Sequence, residues 1–360
     1  MTLTSRNIFA APRKQPPSLA NAARISAIAS SSPARSYSQR EVLALLGQHG
    51  DEFAERVFAR CGVARRQLEL GEEALDRNLQ ARTALVEDGL FEHAKRAIDR
   101  TGVNPADVGL LVTSTLYSLG GPTLAHRLVE HYEMDPAVDT YHVTGVGCAS
   151  AVPLVRLASL ALGQLPARKS LIVGADLLSG MLTRAAPGDS RSKVVASALF
   201  GDGCAAAVLE SGPEAPGAAV VGSAVHHVGG SLGAVRMELG EADSYLRLEP
   251  DLPEAAAAGL ATLVDDFLQP LGLTRPAIDH WIVHPGGRRI LERVQEALSL
   301  SDAQVRVSYD VLADHGNMGT PTIFYVLDET IRRCAPAHGE LGLMVTVGPG
   351  VTIGLMALAW

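Results

Sequence analysis

The sequence predicts an α/β protein in which one strand-and-helix unit occurs twice, the copies sharing a helical layer to give five layers, αβαβα. Two observations predict it. Short apolar runs such as Leu110 to Thr113, Thr140 to Thr144, Ser170 to Ala175 and Trp281 to Val283 alternate with helical stretches, the pattern of sheets covered on both faces. Three pairs of segments also recur in the same order, at offsets of about 170, 169 and 147 residues.

Residues 1–40 contain no Asp or Glu but several Arg and Ser, a composition similar to a transit peptide. Against that, Ala23 to Ala29 reads as a first strand, and Ser38-Gln39-Arg40-Glu41 as the cap of a helix starting near Val42. Residues 1–22 are therefore expected to be a flexible extension. In the first half a helix over Leu90 to Arg100 leads through Thr101-Gly102-Val103-Asn104-Pro105 into the strand Val108 to Thr113. In the second, Leu260 to Leu271 leads through Gly272-Leu273-Thr274-Arg275-Pro276 into Ile278 to His284. Gly145-Val146-Gly147-Cys148 opens a helix to Leu162, as Asp314-His315-Gly316-Asn317 opens one to Arg333. Phe200-Gly201-Asp202-Gly203 and the strand Cys204 to Leu209 match Val347-Gly348-Pro349-Gly350 and Val351 to Leu358. The expected halves are 23–212, carrying the cysteine, and 213–360, carrying the histidine and asparagine. The uncharged stretch Leu341 to Trp360 is broken by Gly348-Pro349-Gly350, so a buried hairpin is expected there rather than a membrane span.

With 360 residues, 47% of them hydrophobic and 19% charged, the chain is globular. A net charge of −8 without a basic stripe argues against nucleic acid as partner. Cys61, Cys148, Cys204 and Cys334 are spaced too irregularly for a disulfide framework or a metal site. Reduced thiols and a cytoplasmic location follow.

Three residues at matching places carry the chemistry. Cys148 follows a buried strand and precedes a helix, where aligned peptide dipoles favour thiolate; the alternative is a packed structural cysteine, the reading that suits Cys204. His284 ends a strand before Pro285-Gly286-Gly287, a turn with little bulk that leaves the imidazole facing a cavity. Asn317 caps its helix or, opposite Cys148, offers an amide to an oxygen gaining negative charge.

Gly147-Cys148, Leu199-Phe200-Gly201-Asp202-Gly203, Trp281 to Gly287, Gly316-Asn317-Met318 and Gly348-Pro349-Gly350-Val351-Thr352 resemble the signature segments of type III polyketide synthases, the chalcone synthase-like enzymes of the thiolase fold. The resemblance runs from about Ile25 to the end. It implies a thiolase-like duplicated fold and a Cys148-His284-Asn317 triad working on an acyl-CoA starter and malonyl-CoA. The acyl group passes to Cys148; malonyl-CoA loses carbon dioxide; the enolate, held by His284 and Asn317, attacks the acyl-Cys148 carbonyl, and the lengthened chain cyclises to a pyrone, resorcinol or other phenol. Losing one such donor costs roughly 3 kcal/mol or more. The resemblance further implies a homodimer, no tightly bound cofactor and no metal. Phe200 corresponds to a gatekeeper, Arg56 and Arg60 to coenzyme A phosphate ligands, and Thr113, Ser114, Met181, Leu246, Gly319 and Pro349 to substrate-binding positions.

Departures from the family pattern concern the substrate. Leu246 replaces a second gatekeeper phenylalanine, Gly319 a serine, Met181 a small polar residue, and Thr115 a glycine. Rival readings are weaker. A papain-like protease suits the order Cys, His, Asn but leaves the duplication unexplained; a silent partner subunit would be expected to lose the nucleophile; a ketoacyl synthase III-type enzyme would lack Pro-Gly-Gly after the histidine.

Overall fold

The structure, a computed structural model, describes residues 22–116, 120–164, 168–186, 188–212, 214–239 and 244–360. The extension expected over residues 1–22 lies outside them except for Ala22. Strands run β1 Arg24–Ser31, β2 Ser36–Ser38, β3 Arg65–Gln67, β4 Val108–Ser114, β5 Asp139–Val143, β6 Lys169–Leu177, β7 Asp202–Glu210, β8 Ala218–His227, β9 Val235–Leu239, β10 Ser244–Leu248, β11 His280–Val283, β12 Leu341–Gly348 and β13 Thr352–Ala359. The helix expected after Ser38 is present over Gln39–Leu45, with the Ser38 hydroxyl and the Glu41 carboxylate capping each other's backbone N–H groups.

Nine strands form one sheet in the order β11-β12-β13-β8-β1-β7-β6-β4-β5. At its middle β1 and β8 share only two residue pairs, Arg24 with Ala219 and Ile25 with Ala218, so the sheet consists of two parts joined at a corner. The duplication is visible in the strand order. β4 lies parallel to β6, β6 antiparallel to β7, and β7 antiparallel to β1; β11 lies parallel to β12, β12 antiparallel to β13, and β13 antiparallel to β8. The first part adds β5 at its outer edge.

Strand alternation sorts side chains into three cores, which define the layers. Leu111, Leu171, Val173 and Val208 pack outward on Val86, Leu90 and Ala94 of the helix Leu79–Thr101. Their neighbours Leu110, Val112, Ile172 and Ala207 pack inward, with Met344, Met356 and Leu358, on the helices Ala151–Leu162 and Pro321–Cys334. Leu343, Val345, Ile353 and Leu355 face the helices Leu260–Leu268 and Arg288–Leu298. The result is αβαβα, the thiolase-like arrangement. Burying a Leu or Ile contributes roughly 1.5–3 kcal/mol, and truncating the buried Phe324 in the shared layer to Ala costs about 3–5 kcal/mol.

The two central helices start close together. Ser150 and Thr320, just ahead of them, approach to 2.8 Å between hydroxyl oxygens. The helix expected to open at Asn317 begins only at Pro321, because Asn317 is held in an extended bridge to Phe200. The C-terminal hairpin is β12 and β13, paired along their whole length. No helix among the described residues is long and apolar enough to cross a membrane.

Candidate active site

Cys148 lies in a single tight turn, Gly147–Ala149, between β5 and the helix Ala151–Leu162. Gly147 takes φ +55°, which glycine adopts without strain, and the hairpin turn at Pro349 packs against it. His284 follows β11 and is wholly buried. Asn317 is fixed by its backbone, donating to the Leu199 carbonyl and accepting from Gly201, each at 3.0 Å.

These three side chains line one small cavity of about 40 Å³, together with Phe200, Leu246, Ile290 and Pro349. The Cys148 thiol donates to Asn317 Oδ1 at 3.7 Å, and that oxygen also accepts the Gly319 N–H at 2.9 Å. Asn317 Nδ2 donates to the Gly286 carbonyl at 3.2 Å, which leaves its second hydrogen unassigned. Neither ring nitrogen of His284 has a hydrogen-bond partner among the described residues. A buried polar group without a partner is costly, so the imidazole is set for a ligand that enters the cavity.

Burial dominates the electrostatics. It pushes the Cys148 thiol up to about 12, the Asp176 carboxylate adding to the rise while the Asn317 contact and a backbone hydrogen bond oppose it. Desolvation holds the His284 imidazole down to about 3. Burial thus works against the thiolate that the helix terminus favours, although the Cys148 side chain keeps partial exposure and the helix starts three residues later.

Of the other expected positions, Phe200, Leu246 and Pro349 line the cavity. Thr113, Ser114, Met181 and Gly319 do not. The Thr113 hydroxyl is turned to His142 Nδ1 at 2.7 Å, Ser114 to Ser150, Met181 packs in the outer core, and Gly319 lies against Asp176. β4 is buried along its whole length, so polarity alone did not show which residues meet the site.

Arg56 and Arg60 lie on the helix Glu52–Arg60 and line a larger cavity of about 530 Å³ with Arg191, Arg288 and Arg289. It shares Leu248, Leu252, Gly286 and Ile290 with the catalytic cavity. A third cavity of about 680 Å³ shares Leu116, Val235, Leu246 and Pro349 with it. Sequence reasoning missed Arg191, Arg288 and Arg289, which carry no motif. It also missed Arg66, wholly buried, whose guanidinium donates to the Phe200 carbonyl at 2.7 Å and so steadies the Phe200–Asn317 bridge.

The family described as FAE1/Type III polyketide synthase-like protein matches residues 30–226, and the chalcone and stilbene synthases, C-terminal domain, matches residues 220–359. The chain belongs to the type III polyketide synthase family. It is a malonyl-CoA-using condensing enzyme, an acyltransferase, and the ketoacyl synthase III alternative is not what these matches support. Among its relatives are the 1,3,6,8-tetrahydroxynaphthalene synthase of Streptomyces peucetius subsp. caesius, 29% identical over 93% of each chain. The alpha-pyrone synthesis polyketide synthase-like Pks18 of Mycobacterium tuberculosis is 30% identical over 73% of this chain and 70% of its own. The crystal structure of PKS-I from the brown alga Ectocarpus siliculosus superposes with a TM-score of 0.86 at 26% identity, covering 94% of this chain and 98% of that one.

Proposed function

We propose that Cys148, His284 and Asn317 together carry out the condensation. An acyl-CoA starter binds with its phosphates among Arg56, Arg60 and their arginine neighbours, and its thioester reaches the 40 Å³ cavity. The Cys148 thiol gives its proton to His284 as the sulfur attacks the thioester carbon, and coenzyme A leaves as the thiol after taking that proton back. Malonyl-CoA then binds the same way. His284 and the Asn317 amide hold its thioester oxygen while carbon dioxide departs, and the enolate carbon attacks the acyl-Cys148 carbonyl, releasing the sulfur. The apolar lining, Leu246, Leu248, Leu252 and Val347 among it, excludes water that would hydrolyse the acyl-enzyme. The observation that carries this reading is the His284 ring, buried and unpartnered in the cavity that also holds the thiol and the amide.

The same reading takes 23–212 and 213–360 as the two halves, supported by the repeated strand order. It takes the enzyme as a cytoplasmic homodimer without a resident cofactor. Four free cysteines suit a reducing compartment, and the sheet edge at β5, with Asp139, Thr140 and Tyr141 exposed, offers a second copy unpaired backbone groups. Incubation with malonyl-CoA and short, long and aromatic acyl-CoAs, followed by mass analysis of products, tests it. Elongated, cyclised products are expected with at least one starter; no coenzyme A release with any would refute the reading.

A further inference from the structure

Two departures from the family pattern, Thr115 and Gly319, meet at one carboxylate. Asp176, on β6, is wholly buried. Its Oδ1 accepts the Leu116 backbone N–H and, at 3.3 Å, the Thr115 hydroxyl; its Oδ2 accepts the Thr320 N–H at 2.9 Å. Gly319 stands at φ +69°, and a Cβ there would overlap Oδ2, so a serine does not fit beside this side chain. Thr320 passes the contact on, its hydroxyl donating to the Gly147 carbonyl at 3.2 Å next to Cys148. One carboxylate thus ties together the cavity wall at Leu116, the loop carrying Asn317 and the turn carrying Cys148.

We propose that Asp176 is a positioning residue for the condensation: it sets the Asn317 amide against the Cys148 thiol and closes the inner side of the cavity beside Gly319. This rests on the catalytic reading above. It explains why the room left for a growing chain lies on the Leu116, Val235 and Leu246 side, where the 680 Å³ cavity opens, and not toward Thr113, Ser114 and Gly319. The ionisable groups that feel the carboxylate are the thiol of Cys148, in its turn, and that of Cys204, on β7. Burial raises the Asp176 carboxyl itself to about 7, so its charge is complete only above neutral pH; there it opposes ionisation of the Cys148 thiol and has a readout separate from its shape.

The test compares the full-length protein with Asp176→Asn and Asp176→Glu. One readout is the pH profile of Cys148 alkylation by iodoacetamide, followed on its peptide by mass; the other is steady-state decarboxylation of malonyl-CoA. The Asn variant, matched in shape but uncharged, is expected to move the alkylation midpoint to lower pH and to lower kcat about tenfold or more with KM within about twofold, as a lost alignment does. The Glu variant is expected to keep the wild-type alkylation profile but not the kcat, its extra methylene pressing on Gly319. An Asn variant whose profile superposes on the wild type, or whose kcat is unchanged, overturns the proposal. Should the Asn variant fail to fold, the Glu variant decides: kcat about tenfold down supports it, and kcat within about twofold overturns it. A wild type unable to decarboxylate malonyl-CoA would sink the catalytic reading instead, while the alkylation profiles would still report on Asp176.

Discussion

Replacing Asn317 by Ala separates the two half-reactions. Its Oδ1 accepts the buried Gly319 N–H at 2.9 Å, the Thr322 hydroxyl at 3.3 Å and the Cys148 thiol at 3.7 Å, and its Nδ2 donates to the Gly286 carbonyl at 3.2 Å with a second hydrogen left for a ligand. Losing one donor to a developing oxyanion costs about 2.7–4 kcal/mol, roughly 10²- to 10³-fold in rate. Leaving the Gly319 N–H without its acceptor costs a further 1–3 kcal/mol or so of stability, a loss of a few degrees in melting temperature for a chain of this size. Malonyl-CoA decarboxylation, followed as acetyl-CoA by chromatography, should therefore fall by roughly 10² or more. Loading of Cys148 by an acyl-CoA, followed by intact mass, should fall by less than about tenfold, because that step draws on His284 for the proton. Decarboxylation within about threefold of wild type, in a variant shown to be folded, would refute the role of the amide; an equal loss in both steps would refute its confinement to the second.

Three further outcomes are expected. His284 stays neutral in the folded protein down to about pH 3, whereas in the unfolded chain it takes a proton below about 6.5, so its share of stability is lost as pH falls through that window; between pH 7.5 and 5, urea titration should show wild type losing about 2 kcal/mol more than His284→Gln, and parallel losses would contradict the buried neutral ring. Arg60→Glu, at the basic cavity, should raise KM for malonyl-CoA about tenfold with kcat nearly unchanged and with a weaker salt dependence; an unchanged KM in steady-state kinetics would remove it from the coenzyme A path. Gly348→Ala would put a Cβ 2.5 Å from the Ala149 backbone nitrogen, displacing the turn that carries Cys148 at a cost of about 1–3 kcal/mol; acyl loading should fall more than about tenfold, and full loading would show that the hairpin does not set the turn.

What the sequence made legible were features carried by local pattern. The Ser38–Glu41 cap, the Leu341–Trp360 hairpin and the repeated strand order each depend on residues close together in the chain, or on order alone. The meeting of Cys148 and Asn317 followed from that repetition, since matching positions of two copies fall side by side when the central helices pack. What stayed hidden depends on the third dimension. Asp176 sits at the end of a strand read only to Ala175, and nothing local marks its contacts with Leu116 and Thr320. Thr113 and Ser114 lie on a strand buried on both faces, so no alternation says which face borders the cavity. The helix position that favours a Cys148 thiolate can be read from sequence, whereas the desolvation that opposes it depends on packing and cannot.

The most direct test of the central claim is peptide mapping of the enzyme quenched during turnover with malonyl-CoA and an accepted starter. The acyl mass, and masses longer by successive malonyl-derived units, should sit on the peptide bearing Cys148 and be missing from Cys148→Ala, which should also release no elongated product. Acyl groups found on Cys61, Cys204 or Cys334 instead, or elongated product from Cys148→Ala, would contradict it.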